Sequence, residues 1–335
     1  MGLRFPSDLG AWQRWQQRQH PLRAMRAILK PSQPTAGVWH STSADPDLLV
    51  VLDSTSPSNL AALAQPLAHL PLARTAVLAP LDITSQLPAA SWTTAPADFR
   101  SDLQSIRSVL LAADYLPLGA GVVANMKPET RLLYVQHGLL TPVAPPLPRD
   151  CSVLAFTEAD AAFWTEGRQD VSSQAVGSQL LWNAGQTRVE SMDTHDSPVW
   201  LGQLHGAELP RTRMAAAAEN FCLTYGATYR PHPAEIDRAS RRQHQAWKDM
   251  GIRFGENAPL SQTRNPIVSI FSTGVIEAAA MGVPSWVFYP NPPRWLEEFW
   301  ERYSMHQWGD AEPTPAPLRA DTSPAQRVAR ILEDA

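Results

Sequence analysis

Cysteine is nearly absent. Cys151 and Cys222 are the only 2 in a chain of 335 residues, far apart and outside any CxxC or Cys/His ligand spacing. That excludes a disulfide framework and leaves a zinc site without sequence support, and both thiols are expected as small buried apolar groups. Dense Lys/Arg blocks are missing too, and the net charge is −4, so nothing in the charge balance proposes nucleic acid as a partner. No apolar run approaches the roughly 18 residues that cross a bilayer, and Met1-Gly2-Leu3-Arg4-Phe5-Pro6-Ser7 lacks the apolar core of a targeting segment. The simplest expectation is a cytoplasmic protein with no transmembrane segment and at most peripheral contact with a membrane. No internal repeat of fixed period is visible.

What is present points to an α/β protein. The length suits two hydrophobic cores better than one, and 31 Pro with 12 Trp fit many connections and an open cleft. Ser7 reads as the cap of a first helix carrying Leu9, Trp12 and Trp15, with a second helix over 22–29. The run 48–52 reads as a strand ending in Asp53, followed by a helix over 60–70 interrupted at Pro66. A strand at 75–78, a helix over 98–115 with Leu103, Ile106, Val109, Leu110 and Ala113 on one face, and a strand at 131–135 come next. Residues 152–157 and 158–167 read as strand and helix, and Ala175-Val176-Gly177-Ser178 as a strand end.

Such alternation predicts doubly wound sheets. The expected division is a first Rossmann-like domain over 1–183, a polar linker over 184–197, a second domain over 198–310, and a loop with a docked helix over 311–335. That last helix starts at Ser323-Pro324-Ala325-Gln326, a capping box with Val328, Ile331 and Leu332 as its buried stripe. In the second domain, 199–204 and 223–229 read as strands, with helices over 211–221 and 238–250.

Residues 265–289 read as strand, small-residue turn, helix, strand. The turn Ser272-Thr273-Gly274 stands at a helix start, where unpaired N–H groups and partial positive charge can cradle a phosphate. The plainer use of the same residues is a serine cap with a glycine for close packing. The strand end Tyr229-Arg230-Pro231-His232-Pro233-Ala234-Glu235 sets an imidazole and a guanidinium on a proline-stiffened loop suited to gripping an anion. Gln136-His137-Gly138 places a third candidate, His137, at a strand end, where ligands bind in open α/β sheets.

Taken together in this order, Gln136-His137-Gly138, Tyr229-Arg230-Pro231-His232-Pro233 and Ser272-Thr273-Gly274 with Glu277 resemble the GT-B fold glycosyltransferases of bacterial surface-polysaccharide synthesis. The His-Pro element followed by a Ser/Thr turn is similar to bacterial sialyltransferases, polysialyltransferases and Kdo transferases, which use CMP-activated sugars. Gln136-His137-Gly138 and Val176-Gly177-Ser178 are similar to the CDP-glycerol glycerophosphotransferases. The resemblance implies two Rossmann-like domains facing a cleft, acceptor on the first and donor nucleotide on the second, with no metal and no cofactor. It implies a nucleotide-activated sugar, CMP- or UDP-linked, passed to a hydroxyl of a glycan or glycolipid. Ser272, Thr273 and Gly274 would hold the donor phosphate, and Arg230 with His232 would neutralise the leaving nucleotide. Glu277, on the first turn of its helix, would bind ribose or base, Glu235 would orient His232, and His137 would be the general base. Two alternatives keep the fold: a transferase of CDP-glycerol or CDP-ribitol polyol phosphate, against which the absence of a basic amphipathic helix argues, and a catalytically silent binding subunit.

Overall fold

The computed structural model describes residues 2–19, 37–187, 197–256 and 258–334. The expected helix over 22–29 and most of the expected linker lie outside the described residues. The chain forms two compact units: Met1–Leu180 with Ala320–Ala335, and Leu181–Arg319.

The first unit is built on a sheet of 8 strands: β1 (Val38–Ser41), β2 (Leu48–Val51), β3 (Thr75–Ala79), β4 (Thr93–Pro96), β5 (Ser108–Leu111), β6 (Arg131–Val135), β7 (Ser152–Ala155) and β8 (Ser172–Ala175). Their order is β4-β1-β3-β2-β5-β6-β7-β8. From β3 through β8 neighbours run parallel, while β1 pairs antiparallel with β3 and β4. The chain leaves β2 for β3 on one side and later reaches β5 on the other, so the winding reverses between β2 and β5.

Alternate residues of these strands feed two cores. Leu49, Val51, Val109, Leu111, Leu132 and Val153 pack with Leu118, Val122, Phe163 and Trp164. Leu48, Val50, Leu110, Leu133 and Leu154 pack with Leu63, Leu67, Val328 and Leu332. The middle of the sheet is therefore covered on both faces, which is why β2, β3, β5, β6 and β7 are largely apolar runs without polar alternation. The helix Pro324–Glu333 returns to this unit from the far end of the chain, its Ser323 cap accepting from the Gln326 N–H. Val328 and Leu332 are buried and Ile331 is half-buried.

Several local expectations are corrected. The helix expected over 98–115 is instead a short helix, Phe99–Asp102, followed by β5. All four β5 residues are buried, and an apolar run buried on both faces carries no period that separates strand from helix. Strands β1 and β4 were not foreseen; β4, Thr93-Thr94-Ala95-Pro96, is exposed throughout and carries no apolar run. The first helix, Leu9–Gln19, is capped by Asp8, whose carboxylate accepts from the Ala11 N–H at 2.7 Å, and not by Ser7. The segment 60–70 is a wide π turn, Leu60–Ala64, then a tight 3-10 stretch, Gln65–His69, because Pro66 has no N–H to continue a regular ladder.

At the carboxyl end of β2, Asp53 accepts from the Leu118 and Gly119 N–H groups (2.8 and 3.0 Å) and so caps the helix Pro117–Asn125. Burial raises its carboxyl above the usual range, and those two bonds pull it back. A Cβ on Gly119 would stand 1.9 Å from the Ala113 carbonyl oxygen, a backbone atom. Gly119→Ala is expected to cost about 2 kcal/mol by forcing that helix off the sheet; a denaturation midpoint equal to wild type would refute the requirement.

The second unit has 4 parallel strands, β9 (Val199–Leu201), β10 (Thr228–Arg230), β11 (Ile267–Ser269) and β12 (Ser285–Val287), in the order β10-β9-β11-β12. Helices Arg211–Tyr225, Arg238–Asp249 and Thr273–Ala280 are the crossovers. The strand expected over 223–229 is shorter than predicted, because the preceding helix runs on to Tyr225 and ends only at Gly226, left-handed at φ 61°. Winding reverses here between β9 and β11. Both units are thus Rossmann-like α/β folds. Among the described residues no helix is long and apolar enough to cross a membrane.

Candidate functional site

In the second unit the carboxyl ends of β9, β10 and β11 lie side by side, and two buried polar side chains tie their loops together. Gln203, just past β9, turns Oε1 toward the loop after β11, accepting from the backbone N–H of Ile270 (3.2 Å) and Phe271 (2.9 Å) and lying 2.9 Å from the Ser269 hydroxyl. Trp300 fixes the same turn by donating to the Ile270 carbonyl at 2.7 Å. Glu235 ties β9 to β10. Its Oε1 accepts from the Leu204 N–H at 2.9 Å, and its Oε2 accepts from the Tyr229 hydroxyl at 2.8 Å and lies 2.9 Å from His244 Nε2. Burial, then the Glu235 charge, drives the Tyr229 phenol far above its ordinary value. Gly202 is required beside this network, since a Cβ there would meet Tyr229 Oη at 2.4 Å and Glu235 Oε1 at 2.6 Å.

The expected role of Glu235 is therefore corrected. Its side chain serves Leu204, Tyr229 and His244, while His232 Nδ1 takes its hydrogen bond from the Ala234 N–H at 3.1 Å. The reason is directional: the loop turns at Pro233, and Glu235 points back under the sheet edge, where it is 4 % exposed. His232 instead stacks on His205, ring centroids 3.8 Å apart and planes inclined by 19°. Both residues are exposed on their outer sides. Burial of the stacked faces, then the charges of His232 and Arg211, push His205 down to about 4. His232 is lowered by the same loss of water, offset in part by Glu235. Arg211, at the start of its helix, donates to the Leu204 carbonyl and to Ser240 Oγ and lies 3.8 Å from Asp237.

Arg230 is half-buried. Its guanidinium donates to the Ala258 carbonyl and reaches Thr263 Oγ1 at 3.5 Å, which anchors the loop before β11. Glu277 shares its field: burial raises the Glu277 carboxyl and Arg230 draws it back down. Glu277 is not on the first turn of its helix, as expected, but one turn further along, because the helix begins at Thr273. At that start Ser272 Oγ accepts from the Gly274 N–H at 3.1 Å. A Cβ on Gly274 would stand 2.6 Å from Leu201 Cδ1, so the glycine also serves close packing on β9. The plainer functions of that turn are thus both realised.

His137 belongs to the first unit, half-buried after β6, and burial holds its imidazole below the ordinary value. Its neighbour Gln136 repeats the Gln203 device, with Oε1 accepting from the Phe156 N–H at 2.8 Å and Nε2 donating to the Gly138 carbonyl at 2.9 Å. Sequence reasoning missed Gln203, His205, Tyr229 and His244 as site residues. The available signal was Gly202-Gln203-Leu204-His205-Gly206, a glutamine and a histidine before glycine at a strand end, as in Gln136-His137-Gly138. Among the described residues no group of three or more His, Cys, Asp or Glu is placed to hold a metal ion.

No known protein-family model matches the chain, and no curated protein sequence matches it. Among solved structures it is similar to a chain in the crystal structure of a GtfA/B complex, at 15% identity and a TM-score of 0.35, over 68% of this chain and 49% of that one. The chain therefore spans about half the length of that neighbour, and a likeness this loose carries no chemistry across.

Proposed function

We propose that the protein is a glycosyltransferase that takes a sugar from a nucleotide-activated donor and passes it to a hydroxyl of a glycan or glycolipid. The observation that carries this reading is the clustering of Arg230, His232 and the Ser272-capped helix start on the carboxyl edge of one parallel sheet, beside its point of winding reversal. Ligands of open α/β sheets bind at such an edge. A leaving nucleotide phosphate needs there what these residues supply: N–H donors at a helix start and side chains that donate toward developing negative charge. Ser272, Thr273 and Gly274 are assigned to the phosphate, Glu277 to ribose or base, and His137, held neutral by burial, to removal of the acceptor proton.

Thermal unfolding with CMP, CDP, UDP or GDP, in the presence of a chelator, tests the reading. One nucleotide at about 100 times its Kd should add about 2.7 kcal/mol of stability, and His232→Ala should lose that gain. Stabilisation by none of the four would refute the proposal. Equal stabilisation of His232→Ala would remove His232 from the site. Product analysis for a new glycosidic bond, as opposed to a phosphodiester, separates sugar transfer from polyol-phosphate transfer.

A further inference from the structure

We propose that His205 and His232 act as one anion-binding unit, in which His205 takes up a proton from solvent when a phosphate group binds beside His232. The proposal rests on the reading of this edge as the donor side, and it adds a residue that reading does not use. The ligand chemistry is a phosphate, whether carried by a nucleotide or free.

The geometry divides the labour between the rings. His232 is held between Pro231 and Pro233, with Nδ1 accepting from the Ala234 N–H, so the neutral ring carries its proton on Nε2 and presents it as a donor. A second proton on Nδ1 would set N–H against N–H and lose that bond. His205 has no such commitment, and its loop is held rigid by Gln203 on one side and by the Leu204–Glu235 bond on the other. In the bound state the added proton therefore goes to His205, where a cationic ring over the neutral His232 face, centroids 3.8 Å apart, is attracted to it.

The surrounding charges set the free state. Arg211 faces the pair from its helix start and is offset by Asp237 at 3.8 Å. Glu235 lies beneath and is bonded to His244. Glu208 comes close on the same loop, its carboxylate 2.7 Å from where a Cβ on Gly206 would stand. With loss of water on the stacked faces, and with His232 and Arg211 nearby, His205 is neutral near pH 7. A bound dianion reverses the sign of that field. The raised value belongs to the bound state, so the His205 contribution to affinity toward a given phosphate charge is greatest at low pH. It falls as pH rises through the bound-state value, with the lower limit of the window at the free value of about 4.

Histidine Cε1–H NMR titration of the full-length protein, without ligand and with saturating CMP or inorganic phosphate, reads this directly, with His205→Gln to assign the signal. The His205 midpoint should rise by about three pH units, from about 4 to about 7, with either ligand. CMP binding to His205→Gln should be weaker by about tenfold at pH 6 and by less at pH 8. Calorimetry in two buffers of different protonation enthalpy should show less proton uptake for the variant, a difference that cancels the titration of the ligand's own phosphate near pH 6. A His205 midpoint unmoved at saturating CMP overturns the proposal and leaves the donor reading standing. Phosphate moving His205 while no nucleotide binds more tightly than phosphate does the reverse. Failure of both CMP and phosphate to bind overturns it as well.

Discussion

Glu235→Ala is expected to lower the stability of the second unit by roughly 3–5 kcal/mol, because it takes away the acceptor that three buried groups share, at about 1–3 kcal/mol for each orphaned donor. Three groups lose their acceptor at once: the Leu204 N–H, the Tyr229 hydroxyl and His244 Nε2. The Glu235 side chain is fully buried and that of His244 nearly so, so water does not readily replace it. Denaturant unfolding followed by tryptophan fluorescence measures the loss, since Trp247 packs on Tyr229 at 4.7 Å. Glu235→Gln keeps an oxygen for the Leu204 N–H and should retain most of the stability. An alanine variant within about 1 kcal/mol of wild type would be below the usual cost of even one orphaned buried donor, and would show that the network does not hold the two strand ends.

Gln203→Ala is the second large effect. It strands the Ile270 and Phe271 N–H groups in a buried turn, whereas the Ser269 hydroxyl keeps an alternative acceptor in the Leu201 carbonyl at 2.9 Å. Two buried unsatisfied N–H groups cost about 3 kcal/mol together, and the turn they hold leads directly into the Ser272 cap. Nucleotide stabilisation should fall along with the unfolding midpoint. Gln203→Glu offers an oxygen in the same place and should keep the turn, so recovery by glutamate separates loss of the acceptor from loss of volume. Unchanged stability and unchanged ligand response in the alanine variant would reject Gln203 as the tie between β9 and β11.

Much of the strand framework could be read directly. β2, β3, β6 and β11 are short apolar runs ended by polar or small residues, and a buried parallel strand has that appearance in any chain. β5 could not be read in the same way. Leu103, Ile106 and Val109 fall at helical spacing, and only the pairing of β5 between β2 and β6 decides for strand. The partition of Leu48 and Leu49 to opposite cores was equally out of reach, because an apolar run names no face.

At the candidate site the same division holds. Arg230, His232 and Ser272 announced themselves through local chemistry: prolines that stiffen a loop, and a hydroxyl before a helix. Glu235 was visible but misassigned, because adjacency along the chain suggested His232 and the turn of the loop sends its carboxylate to Leu204, Tyr229 and His244. Gln203 and His205 passed unnoticed, since their partners are Ile270, Phe271 and His232, tens of residues away.

The sequence by itself determined the α/β class, the strand-end positions of the polar loops and the absence of a disulfide framework, because each depends on composition or on residues within one turn of each other. The tertiary structure alone decided the strand order, the return of the last helix to the first unit, and the stacking of His205 on His232. Those depend on which distant segments share a sheet edge, and parallel pairing joins residues that no local spacing connects.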